Sequence, residues 1–226
     1  MLVAIHQPET WPWPGFFSKI ALSDLFVIQD NVQFEKNYVQ NRNIFTHLNK
    51  PDWYTLPVSN FKFDTNINEI LLSNNPRELN KLKNKFRSNY PGSEYVLNNI
   101  FDFLDMKEEF LVSINLKFIT FAVEFLKIRN NLILASNLPV ISESKTVKII
   151  NIVKTIGGTE YLSGPSGKNY LDESEFKRHG IKLKYFAYKL PRKKEISSRF
   201  QYSMFHWMLK EGYNCKSLIE NYTIEN

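Results

Sequence analysis

The sequence predicts an α/β fold: one three-layer domain over residues 1–226, built on a parallel or mixed sheet, with a helical insertion at 75–130. Three observations predict it. Short apolar runs at 2–5 and 25–28 flank a helix-like stretch, a strand–helix–strand unit within about thirty residues that suits a parallel pair and its crossover. Helix-like and strand-like patterns alternate again from residue 132 onward. The chain has 226 residues, 43% hydrophobic and 23% charged. That is ordinary globular usage, long enough to bury a sizeable core, and no Gly/Ser linker or fixed-period repeat divides it.

The elements follow in order. Residues 2–5 are a buried strand bounded by Pro8. Residues 16–22 form a helix, because Phe16, Phe17, Ile20 and Ala21 share a face. Residues 25–28 are a second buried strand, ending at Gln29-Asp30-Asn31. Residues 53–58 and 67–72 are expected to pair as a hairpin around a polar, aromatic-rich loop. Asn75-Pro76-Arg77-Glu78 starts a helix, with Asn at the cap and Pro in the first turn. Helices then continue to about residue 129, broken at Pro91-Gly92. Residues 132–135 return to strand. Ser144 caps a helix whose Ile149, Ile152, Val153 and Ile156 share a face, and Gly157-Gly158 ends it. Strands at 161–162 and 181–187 enclose a helix at 172–179. A last helix runs from about 203 to 210 and stops at Gly212.

Composition excludes several classes. No apolar run reaches the roughly 18 residues that a membrane span needs. The start lacks the features of a secretory signal, so a cytoplasmic location is expected. The single cysteine, Cys215, rules out a disulfide framework and any multi-cysteine zinc site. The formal net charge of +6 permits an anionic substrate or nucleic acid without demanding either.

Three clusters carry candidate chemistry. The first is His6-Gln7-Pro8, with Trp11-Pro12-Trp13-Pro14-Gly15-Phe16-Phe17 behind it. His6 falls at the carboxyl end of the first strand, the edge where open α/β sheets bind ligands. The aromatic residues suit either a stacking wall or ordinary packing. The second cluster joins Asp30, Gln33, Lys36, Asn41, Arg42 and Asn43 after the second strand, on the same predicted edge. Amides read donor and acceptor patterns, and Arg42 suits a bidentate phosphate or carboxylate contact. A solvated polar loop is the plainer alternative. The third is the turn 163–170, where Ser163, Gly164, Gly167 and Tyr170 follow a strand and precede a helix. Its amides suit an anion, although the Walker A spacing is absent. His6, His47, His179 and His206 are too scattered for a metal motif. The basic run Arg192-Lys193-Lys194 reads as a solvated turn.

These residues also carry a resemblance. Val3-Ala4-Ile5-His6-Gln7-Pro8, Trp13-Pro14-Gly15-Phe16-Phe17-Ser18-Lys19-Ile20, Asp30-Asn31-Val32-Gln33-Phe34, Gln40-Asn41-Arg42-Asn43 and the stretch 157–171 resemble the WbqC-like family across nearly the whole chain. The match departs at Lys145-Thr146-Val147-Lys148 and at Phe205-His206-Trp207. The resemblance implies a bacterial role in O-antigen (lipopolysaccharide) or other surface-polysaccharide synthesis. The expected partner is a nucleotide-linked amino sugar, modified by acyl or aminoacyl (for example glycyl) transfer to its amine. The donor is left open between an adenylate formed with ATP and magnesium, a thioester or acyl carrier, and aminoacyl-tRNA. A more distant similarity is to adenylyltransferases of the pantothenate-synthetase kind, which implies a Rossmann-like, nucleotidyltransferase-type layout, although their second histidine is missing here.

On this reading His6 or Asp30 assists proton removal. Arg42 and Lys36 hold phosphate or donor carboxylate, Gln7, Gln33, Asn41 and Asn43 read hydroxyls, and amides near Gly164 and Gly167 form an anion nest. His6, Asp30, Gln33, Asn41 and Arg42 are expected to line one cleft. The alternatives are a nucleotidyl- or adenylyltransferase releasing pyrophosphate, and a non-catalytic sugar-nucleotide-binding accessory protein.

Overall fold

The computed structural model describes residues 1–140, 144–189 and 201–225; the basic run at 192–194 lies outside them. A six-stranded sheet forms the middle layer. Its strands are β1 (Leu2–His6), β2 (Leu25–Ile28), β5 (Asn131–Leu134), β6 (Glu160–Ser163), β7 (Lys182–Tyr188) and β8 (Tyr222–Glu225), in the spatial order β5-β2-β1-β6-β7-β8. All neighbours are parallel except β7 and β8. Counted within this sheet the order is 3-2-1-4-5-6, that of the doubly wound dinucleotide-binding sheet. The chain builds outward from β1 in one direction, then returns to build outward through β6. The sheet therefore has a switch point between β1 and β6, and the layout is Rossmann-like.

Alternation along the strands separates two cores. Ala4, Phe26, Ile28, Leu162 and Phe186 join one core with α1 (Pro14–Leu22), α2 (Pro76–Asn89), α3 (Glu94–Asp105), α4 (Leu111–Phe125) and α7 (Met204–Glu211). Val3, Ile5, Val27 and Tyr161 join the other with α5 (Lys145–Thr155) and α6 (Glu173–Arg178). Local signals set many of the boundaries. The Asn75 side chain accepts from Arg77 N, Ser144 from Val147 N and Ser203 from Phe205 N, each satisfying a helix donor that lacks an internal partner. Gly157 follows α5 at φ 73°, a left-handed position that favours glycine.

The expected hairpin between 53–58 and 67–72 does not form. Residues 67–69 are a 3₁₀ turn, and only Val58 and Leu72 meet, in a single antiparallel bridge. The ribbon is made instead by β3 (Arg42–His47) and β4 (Lys50–Thr55), in register from Arg42 opposite Thr55 to His47 opposite Lys50. Its two-residue turn places Leu48 and Asn49 at φ 48° and 62°. Paired positive φ values match the twist of a hairpin, but the usual Asn-Gly marker is absent. The loop read as 40–43 is thus partly strand.

Trp11 takes the packing reading of the two that the sequence left open. It is 0% exposed, with its ring against Phe45, Phe86 and Phe118 at centroid distances of 5.6, 5.4 and 5.2 Å. It is core where the β1–α1 loop meets the ribbon and insertion, and cannot serve as a stacking wall. Trp13 stays half-buried, edge-on to Tyr188 at the end of β7 at 5.1 Å. Gly15 permits this, because a Cβ there would lie 2.2 Å from the Trp13 ring.

Candidate functional site

The carboxyl ends of β1, β2, β5, β6 and β7 share one edge, and His6 ends β1 beside the switch point. Strand alternation places His6 on the Ala4 face, where its ring meets Phe16 edge-on at 5.1 Å. Its Nδ1 lies 3.0 Å from the Gln7 carbonyl. A carbonyl only accepts, so this contact selects the Nδ1–H tautomer and leaves Nε2 with its lone pair. Burial first, then the Lys19 cation, hold the imidazole neutral, with its pKa lowered to about 3 against a weaker opposing effect of the Gln7 carbonyl. The side chain nevertheless retains 29% exposure, enough to be reached from the edge.

Two charged residues that the sequence reading gave no chemical role lie beneath it. Glu9 is 2% exposed and Lys19 3%. Glu9 Oε1 is 3.7 Å from His6 Nδ1, and Glu9 Oε2 has no hydrogen-bond partner. Lys19 Nζ donates to the Ile5 carbonyl at 3.1 Å. Burial raises the Glu9 carboxyl to about 8, opposed by Trp13 and the Lys19 cation. Burial lowers the Lys19 ammonium to about 8, opposed by Glu9. A sequence signal for Lys19 did exist: it stands three residues after Phe16, on a helix face that is otherwise apolar.

The amide cluster is brought to the same region but is largely engaged in holding loops. Gln40 Nε2 donates to Gln7 Oε1 at 2.6 Å, and Gln40 Oε1 accepts from Glu35 N at 2.7 Å. Asn41 donates to the Leu56 carbonyl at 3.1 Å and Asn43 to the Thr10 carbonyl at 3.3 Å. Thr10 Oγ1 lies 2.7 Å from Asn115 Oδ1, and Asn115 Nδ2 donates to the Gln40 carbonyl at 2.9 Å. Both Asn41 and Asn43 are buried. Asn43, Thr10 and Asn115 tie the β1–α1 loop, the start of β3 and α4 together, while the buried Asn41 Oδ1 has no hydrogen-bond partner.

The other candidates divide. Asp30 is buried, and its two oxygens accept from Ser136 N at 2.9 Å and Ser136 Oγ at 2.6 Å, fastening the end of β2 to the turn after β5. Gln33 donates to the Phe63 carbonyl at 2.7 Å. Lys36 is exposed, 5.9 Å from the Phe61 ring. Arg42 lies on the ribbon with its guanidinium 4.1 Å over Trp53, and its buried Nε has no hydrogen-bond partner. Across the switch point, Ser163 ends β6 and donates to the Gly164 carbonyl at 3.1 Å. Gly167 N donates to the same carbonyl at 3.0 Å, so this amide is engaged within the turn and is not presented to an anion. A Cβ at Gly167 would meet Ser163 Oγ at 2.0 Å. Tyr170 is half exposed, and its carbonyl lies 3.5 Å from Thr146 Oγ1.

A separate depression of about 390 Å³, lined by Glu173, Phe176, Lys177, Ile181 and Lys182, opens at the amino end of β7. It carries charged side chains as well as apolar ones, but it lies at the opposite end of the parallel strands from His6. Among the described residues no His, Cys, Asp or Glu cluster could hold a metal ion, and no helix is long and apolar enough to cross a membrane.

Fold and site together define a doubly wound α/β protein with a buried polar centre at the end of its first strand. The chain belongs to the WbqC-like protein family, whose family model matches residues 7–204. It is also 29% identical over 195 residues to the uncharacterized protein Rv1507c of Mycobacterium tuberculosis (strain ATCC 25618 / H37Rv), a match covering 82% of each chain. No solved structure matches.

Proposed function

We propose that this protein works in surface-polysaccharide synthesis and modifies a nucleotide-linked amino sugar by acyl or aminoacyl transfer to the sugar amine. The observation that carries the reading is a neutral imidazole with an available Nε2 at the end of β1, beside the switch point of a sheet with the dinucleotide-binding strand order. The sheet order supports a nucleotide-bearing ligand by fold analogy. The chemistry rests on the site and the family resemblance.

His6 Nε2 accepts the proton that the attacking amine loses as the amide bond forms, because nitrogen must shed a proton to become an amide. Gln7 and the half-exposed Tyr170 border the substrate, and Ser163 with Gly164 supports the opposite wall. Arg42 and Lys36 supply cations for phosphate or donor carboxylate. Asp30, Asn41, Asn43 and Gly167 act at one remove, by fixing the loops. The competing reading, nucleotidyl transfer with pyrophosphate release, draws on the same strand order.

Incubation with nucleotide-linked amino sugars, ATP with magnesium, glycine, acyl thioesters and charged tRNA, followed by mass spectrometry, decides between them. A sugar nucleotide heavier by an acyl or aminoacyl group, with loss of one water relative to the free acid, supports the proposal. Pyrophosphate and a nucleotidylated product without an amide replace it with the competing reading.

A further inference from the structure

His6, Glu9 and Lys19 converge under the carboxyl end of β1 from the strand, the following loop and α1. Burying a carboxyl group and an amine is costly unless they are paired or hydrogen-bonded. Here the two do not approach as an ion pair. Lys19 Nζ is on the Ile5 carbonyl, one residue before His6. Glu9 directs Oε1 toward His6 Nδ1 at 3.7 Å, too long for a hydrogen bond, and its buried Oε2 lacks a partner. Hydrogen bonds from the Trp13 backbone and side chain also favour the charged form of Glu9. A buried ionisable pair facing a strand-end histidine is the arrangement expected of a functional centre.

We infer that Glu9 is the positioning carboxylate of His6. It takes over the Nδ1–H hydrogen bond from the Gln7 carbonyl when the imidazole accepts a proton at Nε2, with Lys19 as the nearby cation that favours the ionised form of Glu9. The step balances. The amine lone pair forms the N–C bond to the donor's acyl carbon, and the N–H bond breaks with its electron pair staying on nitrogen while the proton bonds to Nε2. The bond from the acyl carbon to the donor's leaving group breaks, and that group departs with its electron pair as phosphate, thiolate or alkoxide, taking the Nε2 proton where it needs one. The imidazolium charge then faces the Glu9 carboxylate, while no proton leaves Nδ1.

The two states of Glu9 differ in their effect. A neutral Glu9 leaves the buried imidazole a weak base, whereas an ionised Glu9 nearby raises its basicity. The charged groups facing His6 are Glu9 from the loop and Lys19 from α1, with Phe16 as the apolar wall. Ionisation of Glu9 as pH rises through about 8 therefore makes the neutral imidazole a stronger base.

This inference deepens the amide-transfer reading, but its test does not require that reading to hold. Histidine-selective ¹⁵N NMR of the full chain, with His6 assigned by its loss in His6→Gln, follows Nδ1 from pH 6 to 10. The expected result is an Nδ1–H tautomer whose shift steps near pH 8. The step is absent in Glu9→Gln and moves to higher pH in Lys19→Met. A flat profile in the natural protein, or a step retained in Glu9→Gln, overturns the inference. If Glu9→Gln does not fold, Lys19→Met decides alone, and an unmoved step overturns it. Where the amide product is found, Glu9→Gln should lower kcat about tenfold or more with KM little changed, and Glu9→Asp should recover part of the loss. An NMR step without any amide product would reject the transfer reading and leave the His6–Glu9 coupling standing.

Discussion

His6 sits where burial works against its charged form, yet it keeps one nitrogen available. The Gln7 carbonyl fixes the tautomer and Phe16 fixes the plane of the ring. Replacing His6 by Gln retains a polar side chain but removes the group that takes up a proton. General acid–base assistance is worth about 10²- to 10⁴-fold. His6→Gln should therefore lower kcat by about two orders of magnitude or more, with substrate affinity nearly unchanged. Steady-state rates beside calorimetric binding check this, after circular dichroism has established that the variant folds. Equal loss of binding and turnover would make His6 a ligand contact instead of a base.

At the scale of elements, the site depends on how loops are tied to strand ends. Asp30 joins the end of β2 to the turn after β5 through two hydrogen bonds to Ser136. Hydrogen bonds to a buried charged group contribute about 1.5–3 kcal/mol. Asp30→Ala should lower unfolding stability by about that much, read as a reduced urea midpoint at an unchanged m-value. A stable variant with lost turnover would instead return Asp30 to a chemical role. The β1–α1 loop is held in the same manner. Thr10 N donates to the Val39 carbonyl at 3.0 Å and Met204 N to the Pro12 carbonyl at 2.8 Å, so the loop before β3 and the start of α7 both set the position of the segment carrying Glu9.

Across the whole molecule, the buried titrating centre shapes the pH dependence of stability. His6 is held neutral from its ordinary 6.5 down to about 3. The folded chain therefore binds fewer protons there than the unfolded chain, and stability rises with pH across that window. Glu9 is raised from 4.5 to about 8, so its contribution is full below 4.5 and is lost as pH climbs through about 8. Lys19 is lowered from 10.5 to about 8, and stability recovers with pH above that point. The two opposing slopes of His6 and Glu9 overlap up to pH 6.5, which leaves a fall from about 6.5 to 8. Glu9→Gln should remove that fall. Thermal melts at half-unit pH steps check it, and a fall that persists in Glu9→Gln would assign it to other groups.

Much of the architecture was legible along the chain because its signals are local. Short continuous apolar runs marked β1 and β2, and period-3.6 apolar faces marked α1 and α5. Asn75, Ser144 and Ser203 marked helix starts because their side chains bond to amides two or three residues ahead. His6 was placed at a strand end by the same short-range logic. The ribbon was misplaced because its turn uses Leu48 and Asn49 at positive φ, residues that do not announce such a turn. The polar centre was incomplete for a different reason. Whether a charged or amide side chain faces solvent, backbone or another side chain is set by segments far away in sequence. Asn115 reaches Thr10 across 105 positions, and Ser136 reaches Asp30 across 106. Sequence indicated the α/β class, a histidine at the end of the first strand and the family resemblance. Tertiary packing alone decided that Asn41 and Asn43 bind backbone, that Trp11 is core, and that Glu9 and Lys19 are buried beneath His6, because burial and long-range hydrogen bonding exist only once the chain has closed on itself.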